Sequence, residues 1–455
     1  MQRMTVAAAS GPGRPGRTWR TVRRRGTTWI GPAALAGIAT LGAWLAVGAA
    51  AGSTIVDTGS SEEPDWVAGP LAGLGSDLTV NRFGWALLAM TLAYALAVRC
   101  SGDLPLRWVM GTVILVHLAF ALAPPILSSD VFHYLAYARE GFLHGRNPYL
   151  SPPISIAPDP IVSLVYWQHL TSPYGPLFTL LSYPLGALEH TDELWTIKAF
   201  TASASLTGVA LLARAASRSG RSSSRAATVV GLNPLLLVYG VGGAHNDLLV
   251  MATVCGGVLA VSGPRDPAAG SPMGSEGRSV AAGALAVVAG GLKASGAVAA
   301  PFLILGAERP RRALVAALVA GLAVVAVTLP IFGPHVLDTL GVQASSGSTL
   351  ARYSGPDVLG SVLGTAIARL VLDVLVAGAA LAALHHAGRG GDALQAAGWA
   401  TLAALVAVPS LQPWYVAWLL PFAAMGSRRL RRAMLGFTVY VVLTHFPPLG
   451  APPSI

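Results

Sequence analysis

Apolar residues in this chain come in continuous runs of roughly 17–25 residues, the length a helix needs to cross a bilayer. Short polar turns separate the runs. Within a run the apolar positions do not alternate with polar ones, so the period-2 strands of an outer-membrane barrel are excluded. Backbone polar groups inside lipid must be satisfied within the segment, so each run is predicted to be a helix. The first spans fall near 29–51, 83–98, 108–123 and 194–213. The stretch 174–190 is apolar but carries Pro184 and opens with Tyr174-Gly175-Pro176. It reads as a juxtamembrane or re-entrant helix, tolerated where it packs on protein. The expected fold is an all-α polytopic membrane protein of about thirteen spans.

Composition agrees with this pattern. Hydrophobic residues make up 53% of the 455, and Asp, Glu, Lys and Arg only 11%, against about 25% in a soluble domain. The formal net charge of +10 could suggest nucleic acid. The basic residues instead cluster in short turns and in the first 25 residues, which is the positive-inside signature, so no nucleic-acid partner is expected. Arg14, Arg17, Arg20 and Arg23–Arg25 place the N-terminus in the cytoplasm. With 174–190 not crossing, Arg214, Arg218, Arg221 and Arg225, then Arg309, Arg311 and Arg312, then Arg428, Arg429, Arg431 and Arg432, all fall inside. Crossing there would put them all outside. The run 29–51 is too long for a signal-peptide core and reads as a retained anchor. The expected organisation is a basic cytoplasmic tail, 1–28, and a transmembrane domain, 29–446, with a large external loop at 124–193. A short external tail, 447–455, follows. Two cysteines, Cys100 and Cys255, suit neither a metal site nor a disulfide framework.

Against this background the polar residues near span ends stand out. Asp130, His133, Tyr134 and Tyr137 follow Ser128-Ser129 at spacings i, i+3, i+4 and i+7, which puts them on one face of a helix. Asn233-Pro234 kinks a span that ends at His245-Asn246-Asp247. Lys293, one of only two lysines, interrupts a Gly-rich apolar run. Arg352-Tyr353 lies in a later turn, and Gln412-Pro413-Trp414-Tyr415 breaks the run between 399 and 425. Each has a plain reading. Asp130 can cap a helix, the aromatics can form an interfacial belt, and Lys293 can snorkel. The expected topology nevertheless brings all of them to one side of the membrane, and ionisable groups at such depth mark function.

At these residues the chain resembles the GT-C membrane glycosyltransferases. Within them it resembles most the actinobacterial polyprenol-phosphomannose-dependent α-1,6-mannosyltransferases of the MptA/MptB type, from about residue 80 to 445. The resemblance implies a GT-C fold, with juxtamembrane helices in the first large external loop and an external active site in a bacterial plasma membrane. It also implies a polyprenyl-phosphate-mannose donor, a lipid-linked mannan acceptor and surrounding membrane lipids. The family's catalytic acid maps to Asp130. The nearest candidate for its second acidic residue is Glu140.

The chemistry is consistent with this. Polyprenyl phosphate is a good leaving group, so the reaction needs one carboxylate to take the acceptor proton, worth about 10²–10⁴-fold. It also needs donors for the developing phosphate charge. Asp130 is the candidate base. His245, Lys293 and Arg352 are candidates for the phosphate, and His133, Tyr134, Tyr137, Asn246, Asp247, Gln412, Trp414 and Tyr415 for the donor phosphate or sugar. No tightly bound metal or cofactor is expected, although carboxylates with waters can hold Mg²⁺ or Mn²⁺. The competing readings are transfer of polyprenyl-linked arabinofuranose, and a transporter or lipid flippase. The latter predicts inverted repeats and midplane charges, and no repeat is visible.

Overall fold

The computed structural model describes residues 29–51, 64–76, 78–263, 274–339 and 350–447. The basic tail 1–28, most of the acidic loop after the first run, the linker 264–273 and the final tail from 448 lie outside the described residues. What is described is helical throughout. The chain forms α1 (Ile30–Ala49), α2 (Asp65–Ala68), α3 (Val80–Cys100), α4 (Leu106–Leu122), α5 (Asp130–Phe142) and α6 (Pro176–Ser182). It continues through α7 (His190–Arg218), α8 (Ser223–Gly231), α9 (Asp247–Val261), α10 (Ser275–Leu292), α11 (Ala300–Leu305) and α12 (Pro310–Phe332). The last helices are α13 (Gly355–Leu363), α14 (Thr365–Gly388), α15 (Ala393–Ala407), α16 (Val416–Met425) and α17 (Arg428–Thr444).

Among the described residues five helices are long and apolar enough to cross a membrane: α1, α3, α7, α12 with its 3₁₀ extension to Leu337, and α14. This is the architecture of a multi-pass membrane protein. The other apolar helices run 10–17 residues, and identifiable breaks make them short. Asn233 ends α8. Its Oδ1 accepts from the backbone N–H of Leu235 and Leu236, at 3.0 and 3.2 Å, and Pro234 cannot continue the α ladder. The chain resumes as a π-helical turn, Leu236–Val241. Lys293 adopts an extended conformation between α10 and a 3₁₀ turn, and Gln412 does the same before Pro413. The stretch read from sequence as 174–190 forms α6, seven residues, and a five-residue 3₁₀ turn. That is about 20 Å of helix, against about 30 Å of hydrocarbon.

The helices pack around α8, the π turn, α9 and α16. Helix α7 lies along α9 and α8, α10 runs between α9 and α12, and α1 packs on α3 and α4. Helices α12 and α14 are mostly unburied and present Leu318, Leu322, Leu370 and Leu381 outward. Such apolar faces suit lipid rather than water. The polar residues at the breaks, by contrast, point inward.

Candidate functional site

Two short turns build the site. In the first, Leu127 takes a left-handed conformation (φ 58°) and the Asp130 backbone N–H donates to Ser128 Oγ at 3.2 Å. Asp130 thereby opens α5, where the helix N-terminus favours its negative charge. In the second, the π turn ends at Gly242 and Gly243. A Cβ on either would collide with a carbonyl of the preceding turn, Val238 O at 2.1 Å and Tyr239 O at 2.5 Å. Ala244 follows at φ 55°, and His245, Asn246 and Asp247 lead into α9, all three buried.

The turns meet at Asp130 and His245. His245 Nδ1 lies 3.4 Å from Asp130 Oδ2, with the imidazole fully buried and the carboxylate 16% exposed. The imidazole stacks on Trp414 at 3.7 Å between ring centroids. Neither ring nitrogen of His245 makes a well-formed hydrogen bond, and Asn246 Nδ2, Gln412 Oε1 and Trp414 Nε1 also have no protein partner. Buried polar atoms need partners, and in this cluster several are left for something other than protein. Burial pushes the Asp130 carboxyl up. The His245 imidazole 3.4 Å away, then the Lys293 charge, more than offset this and hold it below the usual range.

Asp247 is in a different condition. Its Oδ2 accepts from Lys293 Nζ at 2.8 Å and its Oδ1 from the Trp418 indole N–H at 2.6 Å. Lys293 also sits 5.4 Å from the ring centre of Tyr415, which stacks on Trp418 at 4.2 Å. The extended backbone at Lys293 and the break at Gln412-Pro413 are what bring these side chains to the start of α9.

The helical face predicted on α5 divides. Tyr134 reaches inward: its hydroxyl lies 3.4 Å from Asn246 Oδ1, and its ring packs edge-on against Tyr174 and Phe178. His133 instead accepts from the Trp167 backbone N–H at Nε2 (3.1 Å), with Nδ1 3.2 Å from Ser129 O. Burial pushes its imidazole down, which suits this neutral form. The Tyr137 hydroxyl donates to Leu170 O at 2.7 Å. His133 and Tyr137 therefore fasten the loop around 167–170, and their hydrogen-bonding atoms are already used there. Arg352 stacks on Tyr353, 4.9 Å from its ring centre. Glu140 is fully buried, without a partner for either oxygen, and burial pushes it up to about 8, with the Arg146 charge opposing. Trp418, Tyr174 and Trp167 gained no site role from sequence. Trp418 and Trp167 offered only aromatic character there, which an interfacial belt also explains, and Tyr174 only its place before Gly175-Pro176. Among the described residues no group of three or more His, Cys, Asp and Glu is placed to hold a metal ion.

A bundle of broken membrane helices with a buried ionised cluster at the breaks defines a class: polytopic membrane proteins whose polar site is built at helix discontinuities. Sequence comparison gives the family. Residues 19–309 match the model of the alpha-(1->6)-mannopyranosyltransferase MptA/B N-terminal domain, and 359–452 match the MptB C-terminal domain. The chain belongs to this mannosyltransferase family. It is 29% identical over 369 residues to alpha-(1->6)-mannopyranosyltransferase A of Mycobacterium tuberculosis, covering 72% of this chain and 67% of that one. To alpha-(1->6)-mannopyranosyltransferase B of Corynebacterium glutamicum it is 26% identical over 344 residues, 68% of this chain and 57% of the relative. To alpha-(1->6)-mannopyranosyltransferase A of Corynebacterium glutamicum it is 29% identical over 191 residues, 40% of this chain and 35% of the relative. The chain thus spans about two thirds or less of the length of these relatives. No solved structure matches it.

Proposed function

We propose that this protein is an inverting GT-C α-1,6-mannosyltransferase that moves mannose from polyprenyl-phosphate-mannose to a lipid-anchored α-1,6-mannan. In this reading thirteen segments cross the membrane, the shorter helices crossing as pairs joined at the breaks, and the cleft opens on the external face. The observation that carries it is the contrast in the cluster: one carboxylate, Asp130, with a single 3.4 Å contact, beside a part-buried Asp247–Lys293 pair. Asp130 takes the proton from the acceptor hydroxyl as its oxygen bonds to the anomeric carbon. The bond from that carbon to the phosphate oxygen breaks, and polyprenyl phosphate leaves with the electron pair. A single displacement on a β-linked donor gives the α-linkage. Lys293 spends one N–H on Asp247 and keeps two for the phosphate, whose growing charge they stabilise. His245, held against Trp414, keeps Asp130 ionised. Tyr134, Asn246, Gln412 and Tyr415 line the sugar side, and the polyprenyl tail lies in lipid.

The test is transfer from radiolabelled polyprenyl-phosphate-mannose to a short α-mannoside by the purified full chain. Transfer that Asp130→Asn abolishes in an inserted, folded protein supports the reading. Transfer from the arabinofuranose donor alone would overturn the sugar assignment. Undiminished transfer by Asp130→Asn would overturn the base.

A further inference from the structure

Lys198 is one of two lysines in the chain, and it lies in the middle of the bundle. It sits two turns into α7 and is completely buried. No carboxylate among the described residues pairs with it. Its Nζ donates to one acceptor, the Gly242 carbonyl, at 2.8 Å. The same carbonyl accepts from the Ile126 backbone N–H at 3.3 Å. Ile126 stands four residues before Asp130, and Gly242 three residues before His245. One carbonyl oxygen therefore ties together α7, the turn carrying Asp130 and the turn carrying His245.

Each connecting stretch holds a non-glycine residue in the left-handed region, Leu127 on one side and Ala244 on the other. Such residues are sterically costly and persist only where their surroundings over-determine them. Of the two donors on this carbonyl, the lysine nitrogen is the closer, at 2.8 Å against 3.3 Å. Burying a lysine nitrogen with no counter-charge is costly, so a packing role alone does not account for a lysine here. We propose that Lys198 is a positioning residue: through the Gly242 carbonyl it sets the separation of Asp130 and His245, and it touches neither donor nor acceptor. The proposal rests on reading Asp130 as the base. Asp130→Asn, assayed alongside, reports on that reading independently.

The experiment compares the full chain with Lys198→Met, which keeps an unbranched apolar side chain one bond shorter and removes the donor, and with Lys198→Gln, of the same reach but retaining an N–H. The expected result for Lys198→Met is a kcat loss of about 10–100-fold, the scale of an ångström-level misplacement, with KM for both substrates unchanged. The acidic limb of the kcat–pH profile should move to higher pH, because Asp130 loses His245. The other titratable groups facing Asp130, namely His133, Tyr134 and Tyr137 on α5, Tyr174, Lys293 and Tyr415, are left in place. Lys198→Gln should show the same shift with a smaller loss, and it is decisive if the methionine variant is not recovered folded. A lower thermal midpoint with kcat and the pH limb unchanged would make Lys198 merely structural and overturn the proposal. A raised donor KM at constant kcat would also overturn it, by making Lys198 a substrate contact.

Discussion

Asp130 and Asp247 both open helices, both lie in the same polar cluster and both face a side-chain nitrogen, yet they are chemically unlike. Asp247 has no exposure, and both its oxygens are bonded, to Lys293 and Trp418. Asp130 keeps 16% exposure and one long contact with His245. A carboxylate whose lone pairs are committed to short charge-assisted bonds is a poor proton acceptor and a good strut. A carboxylate with spare lone pairs, held ionised by a neighbour, can accept a proton. On the proposed function, the difference suits Asp130 to the base role the sequence already gave it, and gives Asp247 an architectural role in place of the donor contact expected there.

The sharpest way to break this comparison is to remove each carboxylate. Asp130→Asn should lower kcat by about 10²–10⁴-fold with little change in thermal midpoint. Asp247→Ala should instead destabilise by about 3–5 kcal/mol, seen as a large drop in the detergent-solubilised thermal midpoint, because it leaves Lys293 buried and unpaired. Equal effects of the two on stability would remove the distinction. Adding Lys293→Met to Asp247→Ala should recover part of the stability and none of the transfer. Next in size, Trp418→Phe should cost about 1–3 kcal/mol by leaving one Asp247 oxygen without its donor, measured by the same melt.

Two further tests use pH. His245→Ala removes the main influence holding the Asp130 carboxyl down and leaves burial more weakly opposed, so the acidic limb of transfer activity should move up. A limb that stays in place would separate His245 from the base. Glu140 supplies the smallest effect. Its carboxyl is raised to about 8 in the folded protein from an ordinary 4.5. Between those values the native state holds a proton that the unfolded state has released, so stability falls as pH rises through that window. Glu140→Gln should flatten the fall, with the gain largest near pH 8 and absent near pH 4. That would leave Glu140 a buried structural acid rather than a second catalytic one.

Much of the helical plan was legible because its signal is local. Runs of apolar residues read at 29–51 and 83–98 became Ile30–Ala49 and Val80–Cys100, and Ser128-Ser129 does precede a helix at Asp130. The breaks at Asn233-Pro234, Lys293 and Gln412-Pro413 were equally visible, since proline and an isolated cation do not continue a lipid-facing ladder. Helix periodicity also grouped Asp130, His133, Tyr134 and Tyr137. It could not show that His133 and Tyr137 are taken up by Trp167 and Leu170 while Tyr134 turns to Asn246.

What the sequence determined by itself was therefore the set of helices, their interruptions and the few residues able to do chemistry. Tertiary structure decided which of those residues are free. Asp130 and His245 are 115 positions apart, and Asp247 and Trp418 are 171 apart. Whether a carboxylate is a base or a strut depends on which donors reach its two oxygens, and that is fixed by how distant turns dock. Local pattern carries the energy of burying a helix face, but the pairing of buried charges is a long-range property, written only when α7, α9, α10 and α16 are packed together.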